Sequence, residues 1–181
     1  QSLMERANLE TGDFAQTETW AAAFQLAQIT KIGESRNGVD RAMIREFNDN
    51  GVPVVQLEGL EGQLTIFDQL LETDQREFLT GVIVEGSAPD SRERGENLVQ
   101  AWLRGDMAEI ERLSTQGFLA DPELRAAILT KRNKQMARKI GSLREGPDTR
   151  YLVAVGAAHM AGPEGIPALL EAEGRTLTRI Q

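Results

Sequence analysis

His159 is the only histidine in 181 residues. It ends Gly156-Ala157-Ala158-His159, directly after the apolar run Tyr151-Leu152-Val153-Ala154-Val155. A histidine so placed offers proton transfer near neutral pH or a ligand nitrogen. Glu58 ends a second short run, Pro53-Val54-Val55-Gln56-Leu57-Glu58. A glutamate with a histidine suits two chemistries: a general acid–base pair, or part of a shell around a divalent ion. As a shell it is incomplete, because catalytic zinc-like sites take three protein ligands. Each residue also has a plain reading, a core strand whose following loop happens to carry it.

Arg132 and Asn133 are the other two candidates. On a helix expected over Asp121–Leu143, Ile128, Met136, Ile140 and Leu143 all fall within about a quarter turn of Arg132. A guanidinium inside an apolar stripe needs a carboxylate or a bound anion, unless its long side chain escapes to solvent. Glu58 is the obvious carboxylate. Asn133 lies one step round, at the edge of the same face. If the runs ending near Glu58 and His159 are parallel strands, both side chains emerge at one sheet edge. Gly156, in the turn between the strand and His159, is placed to let a ligand approach the backbone.

Other chemistry is poorly served. Ser35, Ser114 and Ser142 lack a histidine at motif spacing and a nucleophile-elbow context. Gly162-Pro163-Glu164-Gly165 lacks the lysine and glycine spacing of a phosphate loop. Asp40 reads as an acid in the first turn of a helix. Without cysteine there are no disulfides and no thiolate ligands. The net charge of −8 argues against a nucleic-acid surface, since no basic cluster stands against it. No apolar run approaches the ~20 residues of a membrane span.

The elements that must position these residues follow from periodicity. Helices are expected over Ser2–Glu10, Thr17–Lys31, Val39–Asn50, Glu61 to about Arg104 with a break at Gly86–Asp90, from Met107 onward, Asp121–Leu143 and Pro163–Glu173. Gly33–Gly38 reads as a loop. Trp20 and Phe24 belong to a core face, as do Leu98, Ala101, Trp102 and Leu103 along one edge of their helix. Strands are expected at Pro53–Glu58, Tyr151–Val155 and Thr176–Ile180, the last two joined by the final helix as a βαβ unit. The expected fold is therefore α/β, helix-rich with a small, mainly parallel sheet, in one domain over residues 1–181. Two interior-type strands with few neighbours imply association with other strands, in a homo-oligomer or with a separate amino-terminal segment.

These pieces together resemble the TraB/GumN family, which is related to the Tiki proteases and more distantly to erythromycin esterase and ChaN-type proteins. The matching residues are Gly38-Val39-Asp40, Pro53–Glu58 with Gln63 and Phe67-Asp68, Arg132-Asn133, and Val155–His159 with Gly162–Gly165. The resemblance runs from about Trp20 through Ile180. It implies a divalent-metal-dependent hydrolase or peptidase, with Mn, Co or Zn held by His159 and Glu58. Glu58 would be ligand or base, Arg132 its partner or an oxyanion donor, and Asn133 an orienting donor. It also implies an extracytoplasmic, periplasmic setting in bacterial relatives. Members of the family carry two Gly-x-x-His motifs, whereas this chain has one, and Leu57-Glu58-Gly59 replaces the usual Leu-Glu-Thr. With Gln1 in first place, the chain is expected to be the carboxyl-terminal portion of a larger domain. The competing expectation is a non-catalytic binding or signalling module that holds a peptide or small anionic ligand on Arg132.

Overall fold

Apolar residues spaced by three and four set the helices, and the computed structural model contains helices throughout. It describes residues 3–30, 38–143, 146 and 148–180. The order is α1 (Leu3–Ala7), α2 (Thr19–Ala27), α3 (Val39–Asp49), α4 (Leu60–Asp68), α5 (Glu72–Ser87), α6 (Ser91–Leu103) and α7 (Met107–Leu113). A single bar follows, made of α8 (Pro122–Arg125), a π-helical stretch (Ala126–Thr130) and α9 (Lys131–Gly141). The last helix is α10 (Ile166–Ala172). Tight 3-10 turns at Gly117–Ala120 and Ala157–His159 lead into the bar and out of the His159 loop.

Caps fix the ends where the sequence supplies them. Asp121 accepts from the Leu124 N–H at 2.8 Å with Pro122 in the first turn, and Asp106 accepts from Glu109 at 3.1 Å. Gly51, at φ 68°, takes the left-handed conformation that ends α3.

Two apolar clusters hold the helices. In the first, α2 lies on α5, burying Ala23, Leu26, Phe78 and Val82 with Leu3, Phe67 and Leu124. Phe24 meets Phe67 edge-on at 4.5 Å, and Phe78 meets Phe118 at 5.2 Å, both within the preferred range for ring pairs. Trp20 belongs to this cluster, as its spacing predicts. The second cluster joins α9 to α10 through Met136, Ala137, Ile166 and Leu170. The helical bar spans both, with Leu124 in one and Met136 in the other, so Arg132 and Asn133 sit between two anchored ends.

The expected parallel sheet is not formed. Among the described residues there is no strand, and the α/β reading gives way to an all-helical arrangement. The three β-branched segments do run without helix, but local preference makes only an extended chain; a sheet needs a neighbour for each row of N–H and C=O groups. No backbone hydrogen bond links these segments among the described residues. Their side chains face solvent: Val55 is 77% exposed, Leu152 62% and Ile180 90%. The carboxyl ends of the first two are held by packing, where Leu57 and Val155 lie on the α9–α10 cluster. Lys139 Nζ donates to the Gln56 carbonyl at 2.7 Å, and the Arg179 guanidinium to that of Gly105. The βαβ unit is absent for the same reason.

Smaller departures have local causes. The helix expected from Glu61 onward breaks at Gln69–Leu71, where Gln75 Nε2 takes up the Leu70 carbonyl at 3.0 Å. Of the expected apolar edge of α6 only Ala101 is buried; Trp102 is 50% exposed. Helix α3 buries no residue. Lys31, Ser35 and most of the expected loop Gly33–Gly38 lie outside the described residues.

Candidate functional site

Glu58 follows the extended segment directly, and Gly59 then caps α4. This puts the carboxylate beside Gln63, one turn into α4, whose Nε2 is 3.5 Å from Glu58 Oε2. Across from it the bar delivers Arg132. Arg132 Nε lies 3.0 and 3.2 Å from the two Glu58 oxygens, Nη2 donates to Oε2 at 2.7 Å, and Nη1 donates to the Ile128 carbonyl at 3.1 Å. The two side chains are 15% and 11% exposed, so the fork is largely out of water. The buried arginine therefore takes the carboxylate and not the solvent route.

Asn133, 2% exposed, points the other way round the bar. Its Oδ1 is 2.6 Å from His159 Nδ1, and its Nδ2 donates to the Glu164 carbonyl at 2.7 Å. Thr130, also buried, donates to Glu164 Oε2 at 3.0 Å. His159 reaches Asn133 because the 3-10 turn folds its own N–H back on the Gly156 carbonyl at 2.9 Å. At Gly156 a Cβ built on the backbone would lie 3.6 Å from His159 Cδ2, an ordinary distance. The neighbouring loop is tighter: Gly162 is at φ 74°, and a Cβ there would be 2.7 Å from Glu111 Oε1.

The electrostatics separate the two titratable groups. Hydrogen bonding from Arg132 holds the Glu58 carboxyl below its usual range; burial works against this, and the Arg132 charge adds to it. Burial pushes the His159 imidazole below its ordinary value, the Arg132 charge pushes it further, and Glu58 pulls it back. At neutral pH the site therefore holds an ionised Glu58, its guanidinium partner and a neutral imidazole.

All four candidates, Glu58, Arg132, Asn133 and His159, thus come together, in two pairs on adjacent residues of one helix. Beside them a cavity of about 330 Å³ is lined by Thr130, Asn133, Ala158, Glu164, Glu111 and Arg125, among others. A second cavity, about 430 Å³ between Trp20 and α4, contains none of the four. Sequence reasoning missed Thr130 altogether. It lies three residues before Asn133 on the same buried face, with Leu124, Ala127 and Met136 at the same spacing. Glu164 was visible only as a member of Gly162–Gly165.

A divalent ion would have His159 and Glu58 as its ligands; both Glu58 oxygens accept from Arg132, and among the described residues no group of three or more His, Asp or Glu side chains stands together.

A model of the TraB/PrgY/gumN family matches residues 1–179, and the chain belongs to this family. The match spans nearly the whole chain, further than the motifs from Trp20 onward, and does not bear out a carboxyl-terminal portion of the family domain. No curated protein and no solved structure matches. Among the described residues no helix is long and apolar enough to cross a membrane.

Proposed function

We propose that this TraB/PrgY/gumN-family chain carries a hydrolase-type site that acts on a peptide or ester-like bond by proton transfer at His159. The observation that carries the reading is the buried hydrogen bond between His159 and Asn133 beside the ionised Glu58–Arg132 pair. A neutral imidazole held by one nitrogen can take a proton from water, and the adjacent carboxylate favours the imidazolium that forms. Asn133 orients the ring, and Arg132 keeps Glu58 ionised. The cavity that Asn133 lines with Thr130 and Glu164 offers room for the scissile group next to the ring that Asn133 holds. Metal dependence on Mn, Co or Zn is not part of this reading, in which Glu58 serves as the ion-pair partner of Arg132.

The competing reading, an anionic ligand held on Arg132, is weakened by the same fork: the guanidinium charge is neutralised before any ligand arrives. The exposed apolar residues of the extended segments favour association, with a second copy as the simplest partner. An extracytoplasmic setting is retained from the family resemblance.

The experiment is hydrolysis of chromogenic ester and peptide substrates with EDTA or with added Mn²⁺, Co²⁺ or Zn²⁺. Slow turnover that survives EDTA and disappears in His159→Gln is expected. Turnover that needs metal, or that persists without His159, overturns the reading.

A further inference from the structure

Four hydrogen-bonding groups in series connect the π-helical stretch to the single histidine. Thr130 Oγ1 donates to Glu164 Oε2 at 3.0 Å, and the Glu164 backbone carbonyl accepts from Asn133 Nδ2 at 2.7 Å. Asn133 Oδ1 lies 2.6 Å from His159 Nδ1. A carbonyl oxygen only accepts, so the Glu164 carbonyl must face the amide NH₂. That choice turns the amide oxygen toward the imidazole. The amide oxygen also only accepts, so the proton on the neutral ring must be on Nδ1. Nε2 is left with its lone pair.

We infer that the Glu164 carbonyl selects the Nδ1–H tautomer of His159 through Asn133, and that Glu164 and Thr130 are positioning residues for the ring. Reversing the amide would set NH₂ against nothing it could bond at Nδ1–H and oxygen against oxygen at Glu164. A buried amide does not tolerate that arrangement. Thr130 matters because the Glu164 side chain is otherwise exposed, and its hydroxyl ties that residue to the bar that carries Asn133. On the other side the loop closes on itself: the Gly165 N–H donates to the Gly162 carbonyl at 3.1 Å, so tightly that a Cβ at Gly165 would lie 2.7 Å from the Ala161 carbonyl oxygen. The carbonyl is thus held in place from two directions. The functional half of this inference rests on His159 being the reacting group: Nε2 is then the nitrogen that takes the proton from water.

A single histidine makes the test free of assignment. Long-range ¹H–¹⁵N spectra of the uniformly ¹⁵N-labelled full chain at pH 8 give one pair of imidazole nitrogens. The expected pattern is a protonated Nδ1 and a lone-pair Nε2. Asn133→Ala should collapse the pair toward the averaged shifts of an unconstrained, tautomer-exchanging ring. Thr130→Val should move it part of the way, and Thr130→Ser should restore it. Asn133→Asp should keep the Nδ1–H form, since a carboxylate only accepts, at a cost in stability because its second oxygen faces the Glu164 carbonyl, and in that background Thr130→Val should have no further effect on the tautomer. A lone-pair Nδ1 in the unaltered protein overturns the inference, even if every variant fails to fold. An unchanged pair in Asn133→Ala overturns it too, and an unchanged pair in Thr130→Val removes Thr130 from it. These readouts need no activity. The expected tautomer without hydrolysis dependent on His159 sinks the hydrolase reading alone; such hydrolysis with the opposite tautomer sinks this inference alone.

Discussion

Arg132 grips Glu58 from 74 residues away with Nε on both carboxylate oxygens and Nη2 on one, the shortest contact being 2.7 Å. The fork closes the gap between the extended segment at 52–57 and the helical bar. Burial makes its two halves depend on each other. A carboxylate that is largely out of water and loses its guanidinium must be protonated or pull water in.

Arg132→Met should therefore destabilise the fold by about 3 kcal/mol, the range for breaking a buried pair from one side. Glu58→Gln should cost less, because the amide oxygen still accepts from Arg132. The double variant Arg132→Met, Glu58→Leu should recover most of the loss, because neither buried charge remains. Urea unfolding of the unaltered protein, Arg132→Met, Glu58→Leu and the double variant checks this as a double-mutant cycle. Purely additive losses would show that the fork is a surface pair in solution.

Acid should weaken the protein in two steps. The folded pKa of His159 lies below its unfolded value, so its contribution is fully present above about pH 6.5 and is lost as pH falls through the folded pKa. Glu58, held low by Arg132, adds a second loss that begins below the ordinary carboxylate value of about 4.3. Glu85 runs the other way: burial raises its carboxyl despite a 2.6 Å bond from the Phe118 N–H, so protonating it favours the fold. Urea midpoints between pH 5 and 7.5 should fall on acidification in the unaltered protein and flatten in His159→Gln. The imidazole proton shift should titrate with a midpoint below 6.5, the ordinary histidine value.

The site was legible in the sequence and the sheet was not, for one physical reason. A buried arginine in an apolar stripe has to find a carboxylate, and this demand does not depend on how the carboxylate is carried. Glu58 meets Arg132 from an unpaired extended segment as well as it would from a strand. The valines of Pro53–Glu58 and the run at Tyr151–Val155 show only that helix is disfavoured there. Whether they pair depends on neighbours elsewhere in space, which composition does not encode. Thr130 escaped notice because its partner is the side chain of Glu164, 34 residues away in a loop, which helical spacing does not reveal.

Because no strand ladder joins the extended segments among the described residues, single residues along them should differ sharply in weight. Val55→Ala, at a solvent-facing position, should change stability by no more than about 0.5 kcal/mol. Leu57→Ala and Val155→Ala, where the chain packs on Met136 and Ile166, should cost about 1–3 kcal/mol. Hydrogen exchange offers an independent check. Amides 54–56 and 152–154 should exchange within the mixing time, while those in the middle of α5 are protected. Protection of the segments in monomeric protein would mean that they do form a ladder.

Replacing glycine by alanine should have opposite signs at three positions, and the sign is set by what the new methyl meets. At Gly62, in α4, a Cβ has nothing within 4 Å, so Gly62→Ala should stabilise by about 0.5–1 kcal/mol through helix propensity alone. Gly81, in α5, would gain the same propensity, but its Cβ would sit 2.5 Å from Phe118 Cβ. That atom is fixed to the backbone of the Gly117–Ala120 turn and cannot swing aside. Gly81→Ala should therefore lose about 1–3 kcal/mol to overpacking, more than helix propensity returns. At Gly165 the obstacle is backbone itself, the Met160 and Ala161 carbonyls at 2.8 and 2.7 Å. Gly165→Ala should cost a similar amount and lift the loop that carries the Glu164 carbonyl. Its imidazole nitrogen shifts should then move toward the averaged values, whereas those of Gly81→Ala stay in place. Thermal midpoints with the same ¹⁵N spectrum separate the cases. A Gly165→Ala protein of full stability with an unmoved histidine would show that the loop is not braced there.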